Sequence, residues 1–68
     1  MSVEQTYTVT GMTCGHCVAS VTEEVQEVPG VESVDVALET GQVTVTSAEP
    51  LDEAVVRAAV EEAGYQLA

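Results

Sequence analysis

The stretch Tyr7-Thr8-Val9-Thr10-Gly11-Met12-Thr13-Cys14-Gly15-His16-Cys17-Val18 decides how the chain folds, because a strand pattern gives way to a helix pattern across it. Before Gly11, Tyr7 and Val9 alternate with Thr6, Thr8 and Thr10, as in a half-buried strand from about Glu4 to Thr10. After it, Val18, Val21, Val25 and Val28 recur at helical spacing. The seven residues from Gly11 to Cys17 hold both cysteines, the only histidine and two of the five glycines. Cys14 and Cys17 therefore sit on a strand-to-helix loop, with Cys17 at or inside the first helical turn.

That placement has chemical weight. The first turn of a helix leaves backbone N–H groups unpaired and carries the positive end of the helix dipole, and both favour a thiolate. Cysteines at helix N-termini have pKa values of about 3.5–7.5, against about 8.5 for a free thiol. A thiolate is a nucleophile and also a soft metal ligand, so the loop reads either as a redox dithiol or as a metal clip.

Outward from the loop, the first helix is expected from about His16 to Glu27, stopped by Pro29-Gly30. Its valines at 18, 21, 25 and 28 form the predicted buried stripe. Glu23, Glu24 and Glu27 crowd its C-terminal end, where the dipole disfavours negative charge. Val31 to Leu38 alternates through Val34, Val36 and Leu38; Glu39-Thr40-Gly41-Gln42 turns the chain, and Val43 and Val45 resume the alternation, which makes a hairpin. A second helix is announced by Pro50, with Asp52 and Glu53 at its positive end, and buries Val56, Ala59, Val60 and Ala63. Glu53 and Arg57 are spaced for an i,i+4 pair, and Gly64 is the expected C-terminal cap. Gln66-Leu67 leaves room for a short last strand.

Strand, helix, strand, strand, helix, strand describes an α+β fold: a ferredoxin-like βαββαβ sandwich, with an antiparallel four-stranded sheet carrying two helices on one face. The loop after the first strand then lies near the end of the second helix, so Tyr65 is expected to approach the cysteines. At 68 residues the chain, 1–68, reads as a single domain.

Twelve acidic side chains stand against Arg57 alone, giving a formal charge of -11. Nucleic acid and anionic membrane surfaces bind proteins largely through lysine and arginine, so no nucleic-acid partner and no membrane insertion are expected, and a basic surface suits better. The acidity also reads simply as a solvated, self-repelling surface, of the kind found in salt-accumulating halophiles; on that reading stability rises with added salt. No apolar run approaches the roughly 20 residues of a membrane span, and Met1-Ser2-Val3-Glu4-Gln5 lacks the features of a signal peptide. The expectation is a soluble cytoplasmic protein. In a reducing compartment a CxxC pair reads as metal-binding or catalytic rather than as a structural disulfide.

Gly11-Met12-Thr13-Cys14-Gly15-His16-Cys17, Val28-Pro29-Gly30-Val31 and Ala63-Gly64-Tyr65 occur in the order found in the heavy-metal-associated domains. Over essentially its whole length the chain resembles that family, and within it the small prokaryotic copper chaperones. The resemblance implies that Cys14 and Cys17 hold the metal, that Met12 plugs the core beneath the loop, and that Tyr65 borders the site. It also implies a copper-transporting P-type ATPase metal-binding domain or a copper-responsive regulator as partner. Zinc-preferring relatives often carry aspartate where Thr13 stands, a departure that favours copper.

The residues agree on the ion. Two thiolates with no carboxylate or second histidine nearby suit a soft ion content with low coordination, and Cu(I) leads, whereas structural zinc normally takes four ligands. The Met12 thioether and the His16 imidazole are further candidates; His16 reads more naturally as an electrostatic tuner or a dimer contact than as a ligand. A monomer is expected without metal, with a copper-bridged dimer as a second form. The transfer reading has a partner thiolate attack Cu(I) at exposed Cys14, so no enzyme activity is expected. Its rival is thiol-disulfide exchange, since Cys14-Gly15-His16-Cys17 also occurs in protein disulfide isomerases. Those sites have an aromatic before the first cysteine and a longer fold, whereas here Thr13 precedes it. Within the metal class, an excised ATPase domain and a mercury or zinc relative are the alternatives. The start at Met1 and the finish three residues after Tyr65 read as a standalone protein.

Overall fold

The computed structural model describes residues 2–68. Strand β1 spans Val3–Thr10, helix α1 Gly15–Gln26, β2 Val31–Ala37, β3 Gln42–Ser47, α2 Glu53–Glu62 and β4 Gln66–Leu67. The sheet order is β2-β3-β1-β4 with every neighbour antiparallel, the expected ferredoxin-like arrangement. Both helices cover the same face. Val21 and Val25 of α1 and Val56 and Val60 of α2 meet Val9, Val43 and Val45 of the sheet in one cluster. Every member of that cluster is valine, whose branched Cβ suits a strand and leaves one stiff χ1 in a helix.

The alternation in β1 is as the sequence predicts: Tyr7 and Val9 turn inward and Thr6, Thr8 and Thr10 outward. In α1 the stripe differs by one position. Cys17, Val21, Val25 and Val28 are buried, and Val18 is only half-buried. The 4-4-3 spacing from residue 17 and the 3-4-3 spacing from 18 follow a helix face equally well, and packing against the sheet selects the first.

The hairpin also departs from a simple alternation. The register passes from Val31 opposite Ser47 to Ser33 opposite Thr46, so Glu32 is an extra residue and Val31 and Val34 both face the core three positions apart. Leu38 leaves the strand and is 39% exposed in the turn, rather than continuing the buried row. Gly41 closes that turn at φ +76, where a Cβ would lie 2.6 Å from the Val9 carbonyl oxygen. Its N–H donates to the Ala37 carbonyl at 2.8 Å, and its carbonyl accepts from the Val9 N–H at 2.8 Å. The turn is thereby fastened to the end of β1 that carries the cysteine loop.

Helix α2 starts later than Pro50 implies. Asp52 is the N-cap, its Oδ1 accepting from the Ala54 N–H at 3.1 Å, and Pro50 lies outside the helix. At the other end Gly64 takes φ +95, the Gly64 N–H donates to the Glu61 carbonyl and the Tyr65 N–H to the Val60 carbonyl. That Schellman closure turns the chain sharply and delivers Tyr65 to the cysteine loop. No helix among the described residues is long and apolar enough to cross a membrane.

Candidate metal centre

Cys14 occupies the N-cap position of α1 with extended backbone, and its carbonyl accepts from the Cys17 N–H at 3.0 Å. Its side chain makes no capping bond and is exposed. Cys17, in the first turn, is buried at 8% exposure. Both thiols are free, with their sulfurs 3.6 Å apart, well beyond the roughly 2.05 Å of a disulfide bond. The loop thus presents one accessible and one recessed sulfur on the same side.

The Cys17 sulfur is surrounded by donors. The Thr13 N–H donates to it at 3.5 Å with the Thr13 hydroxyl at 3.9 Å, and the Tyr65 hydroxyl is near enough to act on its ionisation. Donors that face a sulfur stabilise its negative form. The Cys17 pKa is accordingly lowered to about 6, by the Tyr65 hydroxyl first and then by the backbone of Thr13 and of Cys14. The Tyr65 pKa is raised in turn, first because its proton is shared with Cys17, then by burial and by the charge of the two sulfurs.

Tyr65 is half-buried and lies over Gly11, whose missing Cβ would sit 3.5 Å from the Tyr65 ring. Met12 is half-buried and packs against the valine cluster beneath the loop. His16 is exposed, and no group of three or more His, Cys, Asp or Glu side chains converges on a point among the described residues. The fold therefore brings Cys14, Cys17, Thr13 and Tyr65 together and leaves His16 outside. Sequence reasoning treated Thr13 as a marker of metal preference and missed its hydrogen bond to Cys17. The available signal was its position just before the N-cap, where a backbone N–H can turn toward the helix start.

Comparison with known proteins agrees with this geometry. The model of the heavy-metal-associated domain matches residues 6–66. The chain is 39% identical over 66 residues to the copper chaperone CopZ of Bacillus subtilis (strain 168), covering 96% of each. It is 40% identical over 63 residues to copper-transporting ATPase 1 of Rhizobium meliloti (strain 1021), covering 93% of this chain but 8% of the ATPase. A solved structure of a CopZ metallochaperone superposes with a TM-score of 0.90 at 34% identity, over 97% of this chain and 100% of the other.

Proposed function

The chain belongs to the heavy-metal-associated domain family, and on that premise we propose that residues 1–68 form one domain acting as a cytoplasmic Cu(I) metallochaperone. Cu(I) is its cargo, held by Cys14 and Cys17. The observation that carries this reading is the pairing of an exposed and a buried thiol 3.6 Å apart, the buried one facing the Thr13 N–H and with its pKa lowered to about 6. A soft ion of low coordination needs no more than such a pair.

The two sulfurs have different parts in transfer. Cys17 is recessed and serves as the anchoring ligand. Cys14 is exposed, so an incoming thiolate meets the ion on that side, a three-coordinate intermediate forms, and Cys14 is the first sulfur released. The chain contributes no bond-making step of its own, in keeping with a metal-binding rather than catalytic family. The proposed recipient is the metal-binding domain of a copper-transporting P-type ATPase, supported by the likeness to ATPase domains, with a copper-responsive regulator as a further recipient. Exposed His16 is proposed to lie at a contact with the recipient, or between copies in a copper-bridged dimer of a chain that is monomeric without metal.

Burial argues against disulfide exchange. The attacking sulfur in that chemistry must be both ionised and accessible. Here the sulfur whose pKa is lowered, Cys17, is the buried one.

The test is an anaerobic titration of the reduced chain with Cu(I) against a chromophoric chelator, with Cys14→Ser and Cys17→Ser in parallel. The expected result is tight binding in the parent chain that collapses in both variants. A parent chain unable to compete for Cu(I) would overturn the reading.

A further inference from the structure

The loops of this fold gather at two ends, joined by the 8 residues of β1. At one end stand the cysteine loop and the turn from Leu38 to Gly41, whose Gly41 carbonyl accepts from the Val9 N–H at 2.8 Å. At the other, the Ala48 N–H donates to the Gly30 carbonyl at 3.1 Å and the Leu51 N–H to the Gln5 Oε1 at 2.8 Å. The carboxylates are divided unevenly between them. Glu27, Glu32, Glu49, Asp52 and Glu53 crowd the second end with Glu4 beside them, and all are exposed. Glu23 and Glu24 add to them from the last turn of α1, Glu62 lies close enough to repel Glu24, and Asp35 sits midway along β2. Residues 5–22, which include the whole cysteine loop, hold no carboxylate, and the turn beside that loop contributes Glu39. Glu61 stands in the last turn of α2, and His16 and the positive end of the α1 dipole oppose these charges.

Distance decides what those charges do at the cysteines. The 8 residues of β1, at about 3.4 Å each, hold the two ends roughly 25 Å apart, about three times the screening length of about 8 Å at physiological salt. The cysteine end therefore feels its own few charges, and the formal charge of -11 belongs mainly to the other. A basic partner, the match that composition alone suggests, is drawn to the wrong end: it is held against Glu27, Glu49 and Asp52 while Cys14 stays remote. An acidic partner is repelled from that end and meets little opposition at the cysteines. There the exposed Leu38 side chain and the exposed loop offer contact without charge.

We propose that the partner of the cysteine end is an acidic protein that docks through an uncharged surface, and that the carboxylates of this chain orient it by repulsion rather than by pairing. This corrects the expectation of a basic partner, since what matters is where the charge lies and not its sum. It rests on the reading of Cys14 and Cys17 as the site, and it names the chemistry of what meets them. Contact at this end is nearly independent of salt, because few charges face each other across it. Attraction of a basic chain to the far end weakens steeply as salt is added.

The first arm of the test uses the reduced, metal-free full chain, isotopically labelled for amide NMR, with a short capped oligolysine as the basic probe. Its shifts should centre on Glu27, Glu49 and Asp52, spare Gly11 to His16, and vanish in molar salt. A nitroxide bearing a carboxylate should broaden Gly11 to His16 as much as its neutral amide analogue does, and broaden Asp52 far less. The second arm takes an unlabelled copy loaded with Cu(I) as the acidic partner and follows passage of the ion to the labelled empty chain. Passage should quicken by no more than about threefold from low to half-molar salt. Ala19→Glu in both copies, which adds a carboxylate to the exposed face of α1 beside the loop, should slow it by about three- to fivefold at low salt and not at high salt. Glu27→Gln and Glu49→Gln should leave it unchanged. Oligolysine shifts centred on Gly11 to His16, equal broadening of Asp52 by the two nitroxides, or passage that climbs more than about tenfold with salt would each overturn the proposal. A chain that takes up no Cu(I) would end the copper reading alone, and the first arm would still decide this one.

Discussion

The Tyr65 hydroxyl acts on the ionisation of Cys17, linking the residue that follows α2 to the start of α1. Tyr65→Phe keeps the ring over Gly11 and removes the largest cause of the lowered thiol pKa. The Cys17 titration should move upward from about 6. Ultraviolet thiolate absorbance in a Cys14→Ser background isolates that thiol, and an unmoved midpoint would assign the whole effect to the backbone donors.

The same lowered pKa sets a pH dependence of folding. Cys17 titrates near 6 in the folded chain and near the ordinary thiol value of 9.0 when unfolded. The folded state therefore binds fewer protons between these values, and stability falls as pH falls. The contribution is complete above the unfolded pKa and is lost as pH drops through about 6. Urea midpoints of the reduced chain and of Cys17→Val, compared from pH 9 to pH 6, should converge toward the acid end. Retention of Cu(I) should weaken in the same direction, because protons compete for the sulfurs.

Glu24 carries the opposite sign. Its pKa is raised by partial burial first, then by Glu27, with Glu62 and Glu23 adding to the repulsion. The folded chain disfavours its ionised form, so it costs stability at neutral pH, and the cost is relieved as pH falls through the carboxylate range. Glu24→Gln should raise the melting temperature at pH 7, with a gain that shrinks in molar salt as the neighbouring carboxylates are screened. A gain independent of salt would place the cost in burial alone.

Gly41 joins the hairpin turn to β1 with no room to spare. Gly41→Ala adds a Cβ 2.6 Å from the Val9 carbonyl at a φ of +76, so both the contact and the backbone region oppose it. A loss of about 1–3 kcal/mol is expected in chemical denaturation. Since that turn is fastened beside the cysteine loop, the variant should also broaden the amide resonances of Gly11 and Met12. Sharp, unshifted resonances there would show that the turn and the loop are independent.

The order of elements and the placement of the two cysteines were legible because they rest on local signals: threonine-valine alternation, valines at helical spacing, and glycines where the chain reverses. What escaped notice depended on partners distant in sequence. Val18 and Cys17 are equally plausible starts for a buried stripe until the sheet beneath α1 selects one. Glu32 looks like any exposed strand residue, and only the pairing of β2 with β3 makes it a bulge. Leu38 fits the alternation yet falls outside the ladder, because the four residues from Leu38 to Gly41 are all needed for the turn. Pro50 and Asp52 both signal a helix start, and the capping hydrogen bond decides for Asp52. At the site, the proximity of Tyr65 followed from topology, while the part played by the Thr13 N–H needed the loop conformation.

The all-valine cluster has a mechanical consequence. Each of its side chains turns about a single stiff torsion, so the frame has little capacity to adjust when something above it moves. Met12, which packs between that frame and the cysteine loop, is unbranched and has several rotatable bonds. It can act as a gasket: opening or closing of the loop in the proposed copper transfer is absorbed in one thioether chain, and the sheet and helices keep their places.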